Sequence, residues 1–194
     1  MRLQADQTVA GRGFSDPAHT ARDAAILVQL RVALARAATG PRAAALRFAD
    51  DIGRHCVAVP DWGALAASRP VAIVGFFGQA RDDVDHTAIV ELESDIVARA
   101  AAFPGLLAYH NAQLANGQWG NLVVFASAAD TAAVTGDPVH ADALARTPQH
   151  YASLRLHRGA IADGCLGAAA ARIRETLYLD FAETPAWRAV RSYA

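Results

Sequence analysis

VAIVGFFGQ (Val71–Gln79) opens the stretch whose reading decides the fold. Its β-branched and aromatic density predicts a strand. HTAIVELESDIVARAAAF (His86–Phe103) follows with a helical period. Ile89, Leu92, Ile96, Ala100 and Phe103 share one face, and Pro104-Gly105 ends the run. LLAYHNAQ (Leu106–Gln113) and WGNLVVFA (Trp119–Ala126) predict two strands joined by an Asn116-Gly117 turn. A second helical segment, from about His140 to Gln149, leads into the strand SLRLHRGAI (Ser153–Ile161). The order strand–helix–strand–strand–helix–strand predicts an α+β, ferredoxin-like βαββαβ unit over residues 71–161.

Outward from that unit the patterns weaken. Residues 1–22 are polar and aperiodic, which predicts a poorly ordered tail. Residues 23–70 read as an N-terminal extension. In it AAILVQLRVAL (Ala24–Leu34) fits a strand or a helix face, and its β-branched density favours the strand. Pro41 can open a short helix over PRAAALRFADDIGRH (Pro41–His55). Residues 162–194 read as a C-terminal extension with one strand, Thr176–Phe181, where Leu177, Leu179 and Phe181 alternate.

Apolar residues make up 53% of the 194 and charged residues 19%, enough for a core and too apolar for disorder. Net charge is −1 and no basic block occurs, which argues against nucleic acid and anionic membrane as partners. The two cysteines, Cys56 and Cys165, lack metal-ligand spacing and read as reduced thiols. No secretory leader or membrane-spanning run is evident, so a soluble, cytoplasmic protein is expected.

The strands carry the functional expectation. Leu154 and Leu156 share one face of their strand, and Arg155 and His157 the other. Leu122 and Val124 oppose Trp119, Asn121, Val123 and Phe125. If helices pack on the aliphatic face, Trp119, Asn121, Phe125, Arg155 and His157 look together into a chamber too apolar for water yet sparsely polar. Either Tyr109 and Asn111 join them, or His110 does. VAIVGFFGQ is apolar on both faces, which argues for sheet-to-sheet packing in a homodimer. Glu93 falls at the edge of its helix's apolar stripe, either snorkelling or partly buried with a raised pKa.

FPG (Phe103–Gly105), the strand pair ending in FAS (Phe125–Ser127) and the helix opening DPVH (Asp137–His140) resemble the dimeric α+β-barrel superfamily, antibiotic-biosynthesis-monooxygenase type. The resemblance spans the central half of the chain. It implies a dimeric α+β barrel and a small-molecule monooxygenase that needs no cofactor, acting on an aromatic or polyketide-like substrate. The haem degraders of that superfamily carry an Asn on the first strand and a Trp and a His on the second helix. Here the first strand has no Asn, and Ala133 and Ala143 stand where the Trp and His would. The alternative to the monooxygenase is therefore a non-catalytic small-ligand-binding or structural barrel protein, and haem binding, with His110, His140 or His150 as ligand, is a second alternative.

No HExxH, Cys/His cluster, GxSxG elbow or phosphate loop is present, and no metal site is expected. The remaining chemistry is proton transfer by a histidine, whose ordinary pKa of about 6.5 suits work near neutrality. His157 or His110 would be the base, and Arg155 or Asn121 would hold the developing anion. Tyr109, Asn111, Trp119 and Phe125 would bind a small hydrophobic or aromatic substrate.

Overall fold

The computed structural model describes residues 1–194 other than Asp83, His86 and Ala194; the side chains of Ala88, Ile89, Leu92 and Ala133 are also outside the description. The strands are β1 (Arg2–Leu3), β2 (Ala45–Ala49), β3 (Gly53–Ala58), β4 (Val71–Ala80), β5 (Leu106–Leu114), β6 (Trp119–Phe125), β7 (Tyr151–Ile161), β8 (Arg172–Asp180) and β9 (Trp187–Ser192). The helices are α1 (Pro17–Thr39), α2 (Trp62–Ala67), α3 (Thr87–Arg99), α4 (Thr131–Thr135) and α5 (Pro138–His150). Among the described residues no helix is long and apolar enough to cross a membrane.

β4 to β7 lie where periodicity predicted strands. The architecture around them does not match the expected dimeric barrel. All nine strands join one sheet in the order β1-β9-β8-β7-β4-β6-β5-β3-β2. Every pairing is antiparallel except β1 with β9. The ferredoxin-like unit pairing as a dimeric α+β barrel is therefore corrected to a single mixed sheet, extended on both sides by the flanking segments.

Those segments account for the difference. Ala24–Leu34, expected as a strand, is the middle of α1. Asp16 caps this helix by accepting from the Ala18 amide at 2.8 Å, and Pro17 occupies its first turn. Asp23, Leu27, Leu30, Arg31 and Leu34 form its buried stripe, while Val28 and Val32 face water. The apparent alternation of Val28, Leu30, Val32 and Leu34 was thus a helical period sampled every second residue. The helix expected over Pro41–His55 is instead the β2–β3 hairpin. Its turn is closed by mutual Asp50 and Gly53 backbone bonds of 3.0 and 3.2 Å. The C-terminal segment supplies two strands where one was expected. The expected tail contributes β1, and the buried Arg191 guanidinium donates to the carbonyls of Ala5, Gln7 and Ser15 at 2.7–2.9 Å.

α1 lies across one face of the sheet. Leu27, Leu30 and Leu34 pack there with Val57, Ile73, Phe77, Leu122, Val124 and Ile161. The chain's own helix thus fills a sheet face that the dimeric-barrel reading left to a second molecule. On the opposite face Ala100 and Phe103, just after α3, join Ala72, Leu106 and Phe125, with α5 beside α3. Of the predicted α3 stripe, Ile96 is half-buried and Ala100 and Phe103 are buried; Ile89 and Leu92 lie outside the described side chains.

Candidate functional site

Register decides which predicted residues meet. Gly75 on β4 stands opposite Leu122 on β6 and His157 on β7; Phe76 stands opposite Asn121 and Leu156. On β5, His110 pairs with Leu122, and Asn111 with Asn121. His157, Arg155 and His110 therefore share the α1 face with Leu122 and Val124. Trp119, Asn121, Phe125, Tyr109 and Asn111 share the α3 face with Leu154 and Leu156. The single chamber expected to hold all of them does not form. A sheet separates the two groups, because a strand's side chains alternate and adjacent strands keep parity.

On the α1 face the polar groups are buried and paired. Asp23 accepts from Arg155 Nε at 2.5 Å, Arg155 Nη2 at 3.0 Å and His157 Nε2 at 2.8 Å. His157 Nδ1 lies 2.7 Å from Thr176 Oγ1. Thr176 meets the Tyr193 hydroxyl at 3.3 Å, and that hydroxyl meets Thr20 Oγ1 at 2.8 Å. Burial pushes the Asp23 carboxyl up, but hydrogen bonds from His157 and Arg155 and the charge on Arg155 outweigh it, so it titrates below its usual value. The Asp–His–Thr order resembles a nucleophile triad. His157 and Thr176 are both 0% exposed, however, and no substrate can reach either.

His110 is enclosed in the same way. Its Nε2 lies 2.8 Å from His55 Nδ1, and His55 Nε2 lies 2.8 Å from Asp50 Oδ1, with Phe48 stacked on His55 at 4.7 Å. Burial first, and neighbouring His55 second, lower the His110 pKa to about 3. The predicted bases are thus corrected: neither His157 nor His110 faces open space, and Arg155 neutralises Asp23 instead of a substrate anion. The enclosure also removes His110 as a haem ligand.

The α3 face differs. Among the described residues, Val74, Phe76, Tyr109, Val123 and Leu156 are only half-buried although they sit on central strands. Glu93 projects inward, 6% exposed. It accepts from Asn111 Nδ2 and meets Arg47 Nη1 at 3.3 Å. Of the two readings of Glu93, burial is the one found. Burial and then the Glu93 charge push the Tyr109 and Tyr151 phenols up, and the same pair of effects raises the Cys56 thiol to about 11. All three groups therefore stay neutral around one carboxylate. Asn121 lies against the Tyr109 hydroxyl, and its Oδ1 is buried with no hydrogen-bond partner among the described residues. Phe125 is filled core beside Phe103 and Leu106, which corrects its substrate-binding role, and Trp119 is 8% exposed.

Asp23, Asp50, His55 and Thr176 were not foreseen. Reading Ala24–Leu34 as a helix would have placed Asp23 on the stripe of Leu27 and Leu30, and reading 45–58 as a hairpin would have turned His55 inward. Among the described residues no group of three His, Cys, Asp or Glu side chains is arranged to hold a metal.

No family model and no curated protein matches the chain. Among solved structures it is similar to the NE2512 protein of unknown function from Nitrosomonas europaea. Identity is 16% and the TM-score 0.44, with 53% of this chain and 95% of that one covered. A likeness of this size carries no argument about function.

Proposed function

We propose that this protein binds a small, largely apolar molecule between the sheet and α3. The observation that carries the reading is the set of half-open apolar side chains (Val74, Phe76, Val123 and Leu156) around the polar group of Tyr109, Asn111, Asn121 and Glu93. A mostly apolar surface with a few convergent polar groups is what a ligand site requires. The two sealed histidine clusters are read as supports for the fold.

Oxidation of an aromatic substrate by oxygen, the activity implied by the family resemblance, is a second reading on the same face. Glu93 supports it, being the buried carboxylate there and able to take a proton from an acidic phenol. The buried, unbridged Cys56 and Cys165 support a reducing, cytoplasmic setting. A homodimer would use a surface other than the one α1 covers.

Titration calorimetry with a panel of naphthols and hydroquinones tests binding, with Val123→Phe narrowing the site. The expected result is binding tighter than about 1 mM that Val123→Phe weakens at least roughly tenfold. If no panel member binds, the reading fails. Oxygen uptake with the same panel tests turnover, which Glu93→Gln would abolish; turnover that persists in Glu93→Gln removes Glu93 as base.

A further inference from the structure

On the α3 face Arg47, Arg54 and Arg158 each pair with a partner, Glu93, Gln113 and Glu175, and the groups facing Glu93 from the strands, Tyr109, Asn111, Tyr151 and Cys56, are a neutral amide, phenols and a thiol. Glu93 Oε2 meets Arg47 at 3.3 Å, and the Arg47 side chain is 57% exposed, so its charge is spent largely on water. The inner side of the carboxylate keeps its field. Burial first, and the Glu93 charge second, bias Tyr109 of β5, Tyr151 of β7 and Cys56 of β3 toward the neutral form. A ligand carboxylate brought here would add a second anion beside a buried first one, which is strongly unfavourable. Asn121 Oδ1, on a residue 93% buried (7% exposed), asks for a donor. Leaving such an acceptor unmade is unfavourable, so a ligand N–H that completes it gains affinity.

Aromatic rings complete the set. Phe76 and Tyr151 stand edge to face, centroids 5.3 Å apart at 76°. Tyr151 lies against β4 only because position 78 is glycine: a Cβ there would come within 2.4 Å of the Tyr151 ring. Trp119, opposite Gly78, and Tyr109 share this face. Electron-rich ring faces around a carboxylate attract a cationic nitrogen carried on an apolar body.

We infer that the ligand of this face is a hydrophobic amine, its apolar body against Val74, Val123 and Leu156 and its nitrogen directed to Glu93 and Asn121. The inference rests on the small-molecule site proposed above.

Three probes of one shape separate the two claims. Calorimetry at pH 7 with 2-naphthylmethylamine, 2-naphthol and 2-naphthoate is run on the full chain and on Glu93→Gln. The amine is expected to bind roughly tenfold tighter than the naphthol and roughly a hundredfold tighter than the naphthoate. Glu93→Gln is expected to erase the advantage of the amine and leave the naphthol within about threefold. Should Glu93→Gln not fold, Asn121→Leu carries the same comparison, weakening the amine roughly tenfold and the naphthol less. Naphthol or naphthoate binding as tightly as the amine would overturn the amine assignment while leaving the site intact. If none of the three binds, the small-molecule reading itself fails.

Discussion

Asp23 accepts three hydrogen bonds, two from Arg155 and one from His157, with almost none of the three side chains in water. Removing it would strand a buried guanidinium. Asp23→Ala is therefore expected to lower stability by about 3–5 kcal/mol in urea unfolding, whereas Asp23→Leu combined with Arg155→Met recovers most of that loss. Ligand affinity on the opposite face should not change in either chain. His110 gives a pH signature. Its folded pKa of about 3 lies far below the ordinary value near 6.5, so below that value the unfolded chain binds a proton the folded chain refuses. Its contribution is intact above about pH 6.5 and is lost as pH falls toward 3, by at most about 1.4 kcal/mol per pH unit. His110→Gln, which keeps a donor for His55 but cannot titrate, should flatten the loss between about pH 6.5 and 4 in pH-dependent unfolding. Below that window the lowered carboxyls of Asp23 and Asp50 take over, since their protonation also favours the unfolded chain.

Among the elements, α1 is the least predictable and the most consequential. It turns a sheet face into core, so Leu30→Ala, at a side chain 0% exposed, is expected to cost about 2–5 kcal/mol, read as a fall in the urea midpoint. Val28→Ala on the exposed side should cost under about 0.5 kcal/mol. The β2–β3 hairpin depends on Gly53, whose φ is +156° and whose Cβ, if present, would lie 2.0 Å from the Gln113 carbonyl oxygen. Gly53→Ala is expected to break the β3–β5 pairing locally, with faster amide exchange at Gly53–Cys56 than elsewhere in the sheet. α3 was legible, from the apolar spacing of Ile96, Ala100 and Phe103 to the anomaly of Glu93. That anomaly was the trace in the sequence of a carboxylate turned toward the sheet.

At the scale of the whole molecule the two chain ends meet. β1 pairs in parallel with β9, Arg12 pairs with Asp180 and Glu183, and Arg191 holds the carbonyls of Ala5, Gln7 and Ser15. A buried guanidinium serving three carbonyls fastens one terminus to the other. Arg191→Met should speed proteolytic cleavage within residues 4–16 while leaving the β4–β7 region protected in amide exchange. Uniform loss of protection across the sheet would show instead that the ends and the centre form one cooperative unit.

Local period by itself determined β4 to β7, the α3 and α5 segments and the second half of β8, because a repeat of two or of about 3.6 is written in neighbouring residues. Tertiary structure alone decided which faces those strands share. Asn121 and His157 sit on separate strands that both border β4, and a shift of one residue in either pairing would exchange their sides. It also decided that α1 would roof the histidines. A helix fits that face because Asp23 meets the charge of Arg155, 132 positions away, while Leu27, Leu30 and Leu34 fill the apolar remainder against strands that follow them in the chain.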